Sequence, residues 1–238
     1  MNYNTSDFIR EILIMNDSVV GQSFLPAVGG DTVRLRNLKE LFKGLTITPV
    51  QTHSTNVKIV EKRDENIDDC DALVTFQTGL PIGIFTADCV PVLIYAPDIK
   101  GIAAVHAGWR GTLEGIVDRT IDVFEKYGAS NDKIIVAFGP SVSMSKYEVD
   151  DDLADRFISS GFSRYVMHPN GESGKPHIDL QGVNMQRLLD RNVQIENISL
   201  HSGCTCSTLN EDGRYLYQSY RRDGDNAGRM LTSIMLIE

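Results

Sequence analysis

Five histidines and four cysteines are a small inventory for 238 residues, so their placement carries information. Three of the nine stand at the ends of strand-like runs. His53 lies in Gln51-Thr52-His53-Ser54, Cys89 in Thr86-Ala87-Asp88-Cys89-Val90-Pro91, and His106 in His106-Ala107-Gly108-Trp109-Arg110-Gly111. An apolar scaffold exposes polar groups to a cleft at strand ends and in the loops that follow them. Two imidazoles and one thiolate suit tetrahedral zinc with a fourth position open to chemistry, and they also suit copper. His53 and Cys89 are 36 positions apart, and Cys89 and His106 are 17 apart, which is not the spacing of a zinc finger. Residue type and spacing therefore leave a plainer reading open, in which Cys89 is a buried structural thiol and the two histidines finish strands. A third reading makes Cys89 a nucleophile and His106 its base, as in a cysteine hydrolase.

Several neighbours can extend such a site. Asp88, beside Cys89, can act as general acid or base, or can orient a ligand imidazole. Arg110 sits in a glycine-flanked loop before a predicted helix, where free amides and the helix dipole favour a bound anion such as phosphate. Its bland alternative is a surface ion pair. Trp109, the only tryptophan, suits stacking on a base or packing in the core. Tyr220-Arg221-Arg222-Asp223-Gly224 and Gly228-Arg229 bring three arginines close together in an acidic chain, either as a surface turn or as two arms on a ligand anion. Cys204-Thr205-Cys206 lacks a second pair and reads as two inert thiols. Cys70 is surrounded by Asp68, Asp69 and Asp71, whose charges oppose a thiolate and make it a poor nucleophile.

The elements that must position these groups alternate between short apolar runs and helical periods. Val33 to Leu45 predicts a helix from its apolar spacing. Leu45 to Val50, Val57 to Val60, Ala72 to Thr75, Ile82 to Phe85, Pro91 to Tyr95 and Ile102 to His106 predict strands, being β-branched and punctuated by Gly, Pro and Asp. Leu113 to Tyr127 predicts the clearest helix, stopped by Gly128. Lys133 to Phe138 predicts a strand, Asp150 to Ser159 and Gln181 to Asp190 predict helices, and Gln194 to Ser199, Arg214 to Tyr220 and Met230 to Ile237 predict late strands. His168 to Pro176 reads as a loop. The mixture predicts an α+β layered sandwich in one domain with mixed strands.

The totals bound the function. Hydrophobic residues are 42% and charged residues 23%, which is ordinary for a globular chain. A net charge of −9 argues against a protein that binds nucleic acid by neutralising phosphates, though not against a local anion pocket. Four cysteines are too few for a disulfide scaffold, and the first apolar run, Ile12 to Met15, is too short for a signal or a membrane span. A reduced, cytoplasmic setting without membrane attachment is expected.

Taken together, the segments resemble a known family. Gln51-Thr52-His53, Ala87-Asp88-Cys89-Val90-Pro91-Val92-Leu93 and His106-Ala107-Gly108-Trp109-Arg110-Gly111 resemble its three main signatures in order. Asp71-Ala72-Leu73-Val74-Thr75, Phe138-Gly139-Pro140 with Tyr147-Glu148-Val149, and the Tyr220 to Arg229 stretch resemble its weaker ones. The family is the laccase-domain proteins, first called multicopper polyphenol oxidases and later assigned as zinc-dependent purine nucleoside enzymes. The likeness runs from about Leu45 to Arg229 and departs over Gly21 to Leu45, where Val28-Gly29-Gly30-Asp31 is the remnant of a longer motif. The resemblance implies a single-domain four-layer α/β/β/α sandwich with two mixed sheets over residues 1–238, and one metal ion, zinc or alternatively copper, on His53, Cys89 and His106. With the residue readings above, these three and Asp88 are the expected catalytic residues, and Gln51, Arg110 and Arg222 the expected substrate-binding residues. The implied activities are phosphorolysis of adenosine, inosine, guanosine and methylthioadenosine, and deamination of adenosine. Phenol oxidation by copper and hydrolytic editing of a cell-wall precursor are the alternatives. The small-molecule partners are purine nucleosides and phosphate, in a monomer or weak homodimer.

Overall fold

A computed structural model of the chain describes residues 13–15 (backbone only), 46–63, 65–168 and 174–236. Its strands, in chain order, are β1 (Leu13–Met15), β2 (Val57–Ile59), β3 (Ala72–Thr75), β4 (Ile82–Thr86), β5 (Val90–Ala96), β6 (Gly101–Ala107), β7 (Ile135–Phe138), β8 (Val166–Met167), β9 (His177–Ile178), β10 (Ile198–Ser199) and β11 (Met230–Ile234). Six of them form a mixed sheet in the order β10-β7-β5-β6-β3-β2, with parallel pairs at its two ends and antiparallel pairs between. A second sheet, β1-β11-β4, is antiparallel, and a parallel bridge from Ile47 to Ile82 makes its edge mixed. Strands β8 and β9 form a small separate ribbon.

The central strands read as nearly unbroken apolar runs because both of their faces are covered. Val90, Val92, Ile94 and Ala96 of β5, with Ala103, Val105 and Ala107 of β6, face a helical layer. Leu93, Ile102 and Ala104 face the opposite way, against Ile82, Ile84, Met230 and Ile234 of the three-stranded sheet. The side-chain period of two puts His106 on the same side as Ile102 and Ala104, towards the gap between the sheets. Pro91, unusual inside a sheet, is tolerated because β7 stops pairing at Val92↔Phe138; beyond it only Gly139 reaches Pro91, as a donor to its carbonyl at 2.9 Å.

The helical layer consists of α1 (Trp109–Glu114), α2 (Ile116–Lys126) and α4 (Leu180–Asp190); α3 (Asp151–Phe157) and α5 (Tyr220–Asp223) lie elsewhere along the chain. On α2, Ile116, Val117, Thr120, Ile121 and Phe124 are buried, a stripe at helical spacing worth about 1.5–3 kcal/mol for each large apolar side chain. The single helix expected over Leu113 to Tyr127 is two helices. Gly115 breaks it at φ +83°, and Arg187 from α4 donates to the carbonyls of Thr112 and Leu113 at 2.8 and 2.6 Å and to Asp118 at 2.7 Å. Periodicity continued across the break, so the sequence pattern could not reveal it.

Strands β2 to β7 and β11 lie where the apolar runs place them. The run Leu45 to Val50 contributes only the Ile47 bridge, and Gln194 to Ser199 shortens to β10 behind a 3-10 turn at Ile195–Asn197. Arg214 to Tyr220 is not a strand: only Tyr215 bridges Leu209, and Ser219 then caps α5, its Oγ accepting from Arg222 N–H at 3.2 Å. That stretch has alternating residues but no neighbouring strand to pair with. The helix expected at Val33 to Leu45 and the departure over Gly21 to Leu45 lie outside the described residues. What is described is a mixed α/β sandwich, with helices on one face of the six-stranded sheet and the second sheet on the other.

Candidate metal centre

The chain passes from one sheet to the other between Thr86, the end of β4, and Val90, the start of β5. Cys89 is the last residue of that crossover. His106 lies in β6 directly opposite Pro91, so strand pairing alone brings residues 89 and 106 together. His53 arrives from the loop between the Ile47 bridge and β2. The nearest side-chain donor atoms of the three lie within 4.8 Å of one another, and they are the only His, Cys, Asp and Glu residues among the described ones to gather this way. Cys89 Sγ stands 3.8 Å from His53 Nε2, and the two imidazole centroids are 4.8 Å apart at 74°. Two donors on one tetrahedral zinc, with bonds of about 2.0 Å to nitrogen and 2.3 Å to sulfur, sit about 3.5 Å apart, so this donor set has the chemistry for a metal ion and would close on one by drawing in by up to about 1 Å.

The surrounding backbone is shaped to the cluster. His53 has φ +60° and Asp88 φ +94°, left-handed conformations that side chains rarely adopt and that here aim the ligands inward. Gly108 is packed so closely that a Cβ there would stand 2.8 Å from His53 Cδ2 and 3.3 Å from Cys89 Sγ. Asp71, fully buried and one residue before β3, places Oδ1 2.6 Å from His106 Nδ1. Its carboxylate also accepts from the backbone N–H of Thr52, His53 and Ser54 at 3.1, 3.0 and 2.7 Å, and from Ser54 Oγ at 2.8 Å.

These contacts set the local charge. Burial disfavours ionised Asp71, but the bonds from His106 and Ser54 prevail and hold its carboxyl down to about 2. Burial likewise opposes charge on the next two groups and is likewise overcome. Cys89 is lowered to about 6 by the imidazoles of His106 and His53, and His106 is raised to about 9 by Asp71 and Cys89. Without metal, the cluster is thus a thiolate beside an imidazolium near neutral pH. Cys70 behaves as its neighbours predict but for a larger reason: burial first, then the Asp charges, lift it to about 11, and its thiol donates to Ile67 O at 3.2 Å.

The other expected residues are placed as follows. Asp88 is buried, and its two oxygens accept from Thr205 Oγ1 at 2.6 Å and Arg221 N–H at 2.5 Å, so the partner of an imidazole is Asp71 instead. Gln51 turns its amide onto β4, donating to Phe85 O at 2.8 Å and accepting from Phe85 N–H at 2.7 Å. Arg222 donates to the carbonyls of Thr205 and Tyr217 at 3.0 Å each, grips Asp223 in a fork at 2.9 and 2.6 Å, and stacks on Tyr215. Arg110 is exposed, and its guanidinium lies 4.5 Å from the Trp109 ring centre, with Arg156 at 5.0 Å on the same ring. Among the described residues Arg110 makes no hydrogen bond or ion pair. The sequence offers Arg221 only as one of three clustered arginines, whereas its bond to Asp88 comes from the backbone; Thr205 stands out only between two cysteines, and Asp71 only as a charge near Cys70 and the head of a weaker family signature. The available signal for Asp71 was an acid placed directly before a wholly buried strand.

A family model described as multi-copper polyphenol oxidoreductase laccase matches residues 29–237. The chain belongs to this family. Within the laccase family it is similar to a purine nucleoside phosphorylase of Bacteroides thetaiotaomicron, 35% identical over 84% of this chain and 79% of that one. It is also similar to adenosine deaminase RL5 of an unknown prokaryotic organism, 34% identical over 79% of this chain and 74% of that one. The crystal structure of the hypothetical protein YfiH of Bacillus licheniformis superposes with a TM-score of 0.74 at 26% identity, covering 86% of this chain and 80% of the other.

Proposed function

We propose that this laccase-family chain, read as one domain over residues 1–238, is a zinc-dependent purine nucleoside phosphorylase that also deaminates adenosine. Adenosine, inosine, guanosine and methylthioadenosine are its substrates. The observation that carries the reading is the three-donor cluster of His53, Cys89 and His106 in a chain whose relatives carry these two enzyme names. Those three residues would hold the zinc. When bound, it supplies Lewis acidity beside the nucleoside.

The chain's own groups divide the remaining work. His106 keeps Nδ1 on Asp71, which leaves Nε2 directed to the cluster. Asp88 ties the Cys89 crossover to Thr205 and to the start of α5, so it fixes where the thiolate stands. Arg110, with no competing carboxylate among the described residues, is the arm for phosphate; a guanidinium fork binds phosphate in paired, charge-assisted hydrogen bonds. Gln51 and Arg222 shape the rim through β4 and the 205–217 segment. All four cysteines are free, in keeping with a reducing cytoplasm, and no described helix is long and apolar enough to cross a membrane.

The test is product analysis on zinc-loaded protein given adenosine with and without phosphate. Adenine formed only with phosphate, together with inosine in either case, and loss of both on chelation is the expected result. Amide hydrolysis that survives chelation and stops when Cys89 is alkylated would favour the cysteine-hydrolase reading, which the lowered thiol of Cys89 beside two imidazoles keeps in view. A laccase-type copper cluster needs many histidines; the chain has five, and two lie in the cluster.

A further inference from the structure

We propose that Asp71 is the positioning residue for both imidazole ligands, through the side chain of one and the backbone of the other. This rests on the reading of His53, Cys89 and His106 as a metal site.

The His106 end is a double grip. Asp71 Oδ1 takes the Nδ1 proton at 2.6 Å, and Asp71 O takes the His106 backbone N–H at 2.7 Å. Both bonds come from the β3–β6 pairing, in which Ala72 stands opposite Val105. A carboxylate has no proton to give, so the neutral ring keeps its proton on Nδ1 and its lone pair on Nε2. Metal-bound histidines generally donate their other ring N–H to such a partner.

The His53 end is a backbone cradle. Three successive amides, Thr52, His53 and Ser54, point at the same carboxylate. Consecutive N–H groups converge on one anion when backbone handedness alternates, and the φ of +60° at His53 provides that alternation. The strained residue is therefore held by the anion it surrounds, and its side chain is thrown towards Cys89 as a result. One buried carboxylate fixes the tautomer of His106 and the turn that presents His53. The sequence separates these by 53 positions, and nothing but the fold unites them.

Asp71→Asn makes the distinction sharp. An amide keeps the volume, and its oxygen can still accept the Thr52 and Ser54 bonds at the Oδ2 position. Its NH2 then faces His106 Nδ1 and drives the ring proton to Nε2, the atom the metal needs, and it also meets the His53 backbone N–H donor to donor, which loosens the turn that presents His53. An Asp→Asn change beside a catalytic histidine in the serine-protease triad leaves geometry intact but selects the wrong tautomer in the same way.

The experiment has two arms. In the first, zinc affinity is measured by competition with a chromophoric chelator for the wild type, Asp71→Asn and Ser54→Ala, with folding followed by circular dichroism. A fall of about 10–100-fold in Asp71→Asn, with Ser54→Ala within about threefold of wild type, is expected. Wild-type affinity in a folded Asp71→Asn overturns the proposal. In the second arm, imidazole nitrogen resonances of the metal-free wild type are followed up to a pH at which the spectra themselves show the His106 ring to be neutral. A proton on Nδ1 is expected, and a proton on Nε2 overturns the proposal even if Asp71→Asn fails to fold. A wild type that shows the Nδ1 proton but binds no zinc would refute the metal reading itself.

Discussion

Gly108→Ala puts one methyl group into the metal centre and nowhere else. Gly108 has φ −70° and ψ 175°, a conformation alanine adopts freely, so the backbone gives no reason for loss. The added Cβ would stand 2.8 Å from His53 Cδ2 and 3.3 Å from Cys89 Sγ. Carbon atoms settle at about 3.5–4.0 Å, so the His53 ring has to withdraw by about 0.7 Å or more. Metal–ligand distances hold within about 0.2 Å of ideal, so that retreat disables one ligand of three. Zinc affinity is expected to fall by about 10–100-fold, or about 1.4–2.7 kcal/mol. In the metal-free protein His53 is exposed and free to swing aside. Stability there is expected to be unchanged or to rise by up to about 1 kcal/mol, since alanine restricts the unfolded chain. Chelator competition reads the first quantity and urea unfolding of metal-free protein reads the second. A cycle with His53→Ala identifies the cause: if the clash acts through His53, adding Gly108→Ala to His53→Ala changes affinity by less than about threefold. Full zinc affinity in Gly108→Ala, or an undiminished effect without His53, would refute the reasoning.

Other outcomes follow from the same geometry. In metal-free protein Cys89 should alkylate with a half-maximal rate near pH 6, well below an ordinary thiol, and bound zinc should protect it; a profile centred near 9 would remove the two imidazoles as its partners. Because the folded Asp71 carboxyl lies below its ordinary value of 3.8, its contribution to stability is complete above about pH 4 and fades as pH falls towards 2; acid unfolding of Asp71→Asn should lack that part of the slope. Asp88→Asn leaves an N–H of Arg221 or the hydroxyl of Thr205 poorly matched, and should cost about 1–3 kcal/mol of stability while the pH–rate curve keeps its shape; loss of one limb of that curve would make Asp88 a proton carrier instead. Arg110→Ala should raise the KM for phosphate about tenfold or more and leave deamination within about twofold, and equal loss of both would point to a structural role on Trp109.

Much of the scaffold was legible because burial on two faces leaves a plain trace. The runs at Ala72 to Thr75 and Ile102 to His106 read as strands, and both are strands buried on both faces. The candidate metal triad was legible as residue types at strand ends, but its convergence was not. Only the crossover before Val90 and the Pro91↔His106 register make 17 positions short. Asp71 escaped for the opposite reason: five of its six side-chain bonds come from Thr52, His53 and Ser54, and a carboxylate that receives backbone amides has no signature in sequence. Gly115 escaped because the apolar stripe of two helices continues in phase across it.

The cluster is made of unlike halves. Cys89 and His106 belong to adjoining strands of a sealed sheet, and their separation is fixed once β5 and β6 have paired. His53 stands on an exposed turn with no strand of its own, held chiefly by the Asp71 carboxylate, while Thr52 Oγ1 also donates to Asp69 at 2.6 Å. For an ion held there, capture would have an order, with two donors waiting in place and the third closing over it like a latch. Release would run in reverse, so the expected lifetime of a loaded protein depends on how often the turn at residues 52–54 lets go, rather than on the strength of the sheet that carries the other two donors.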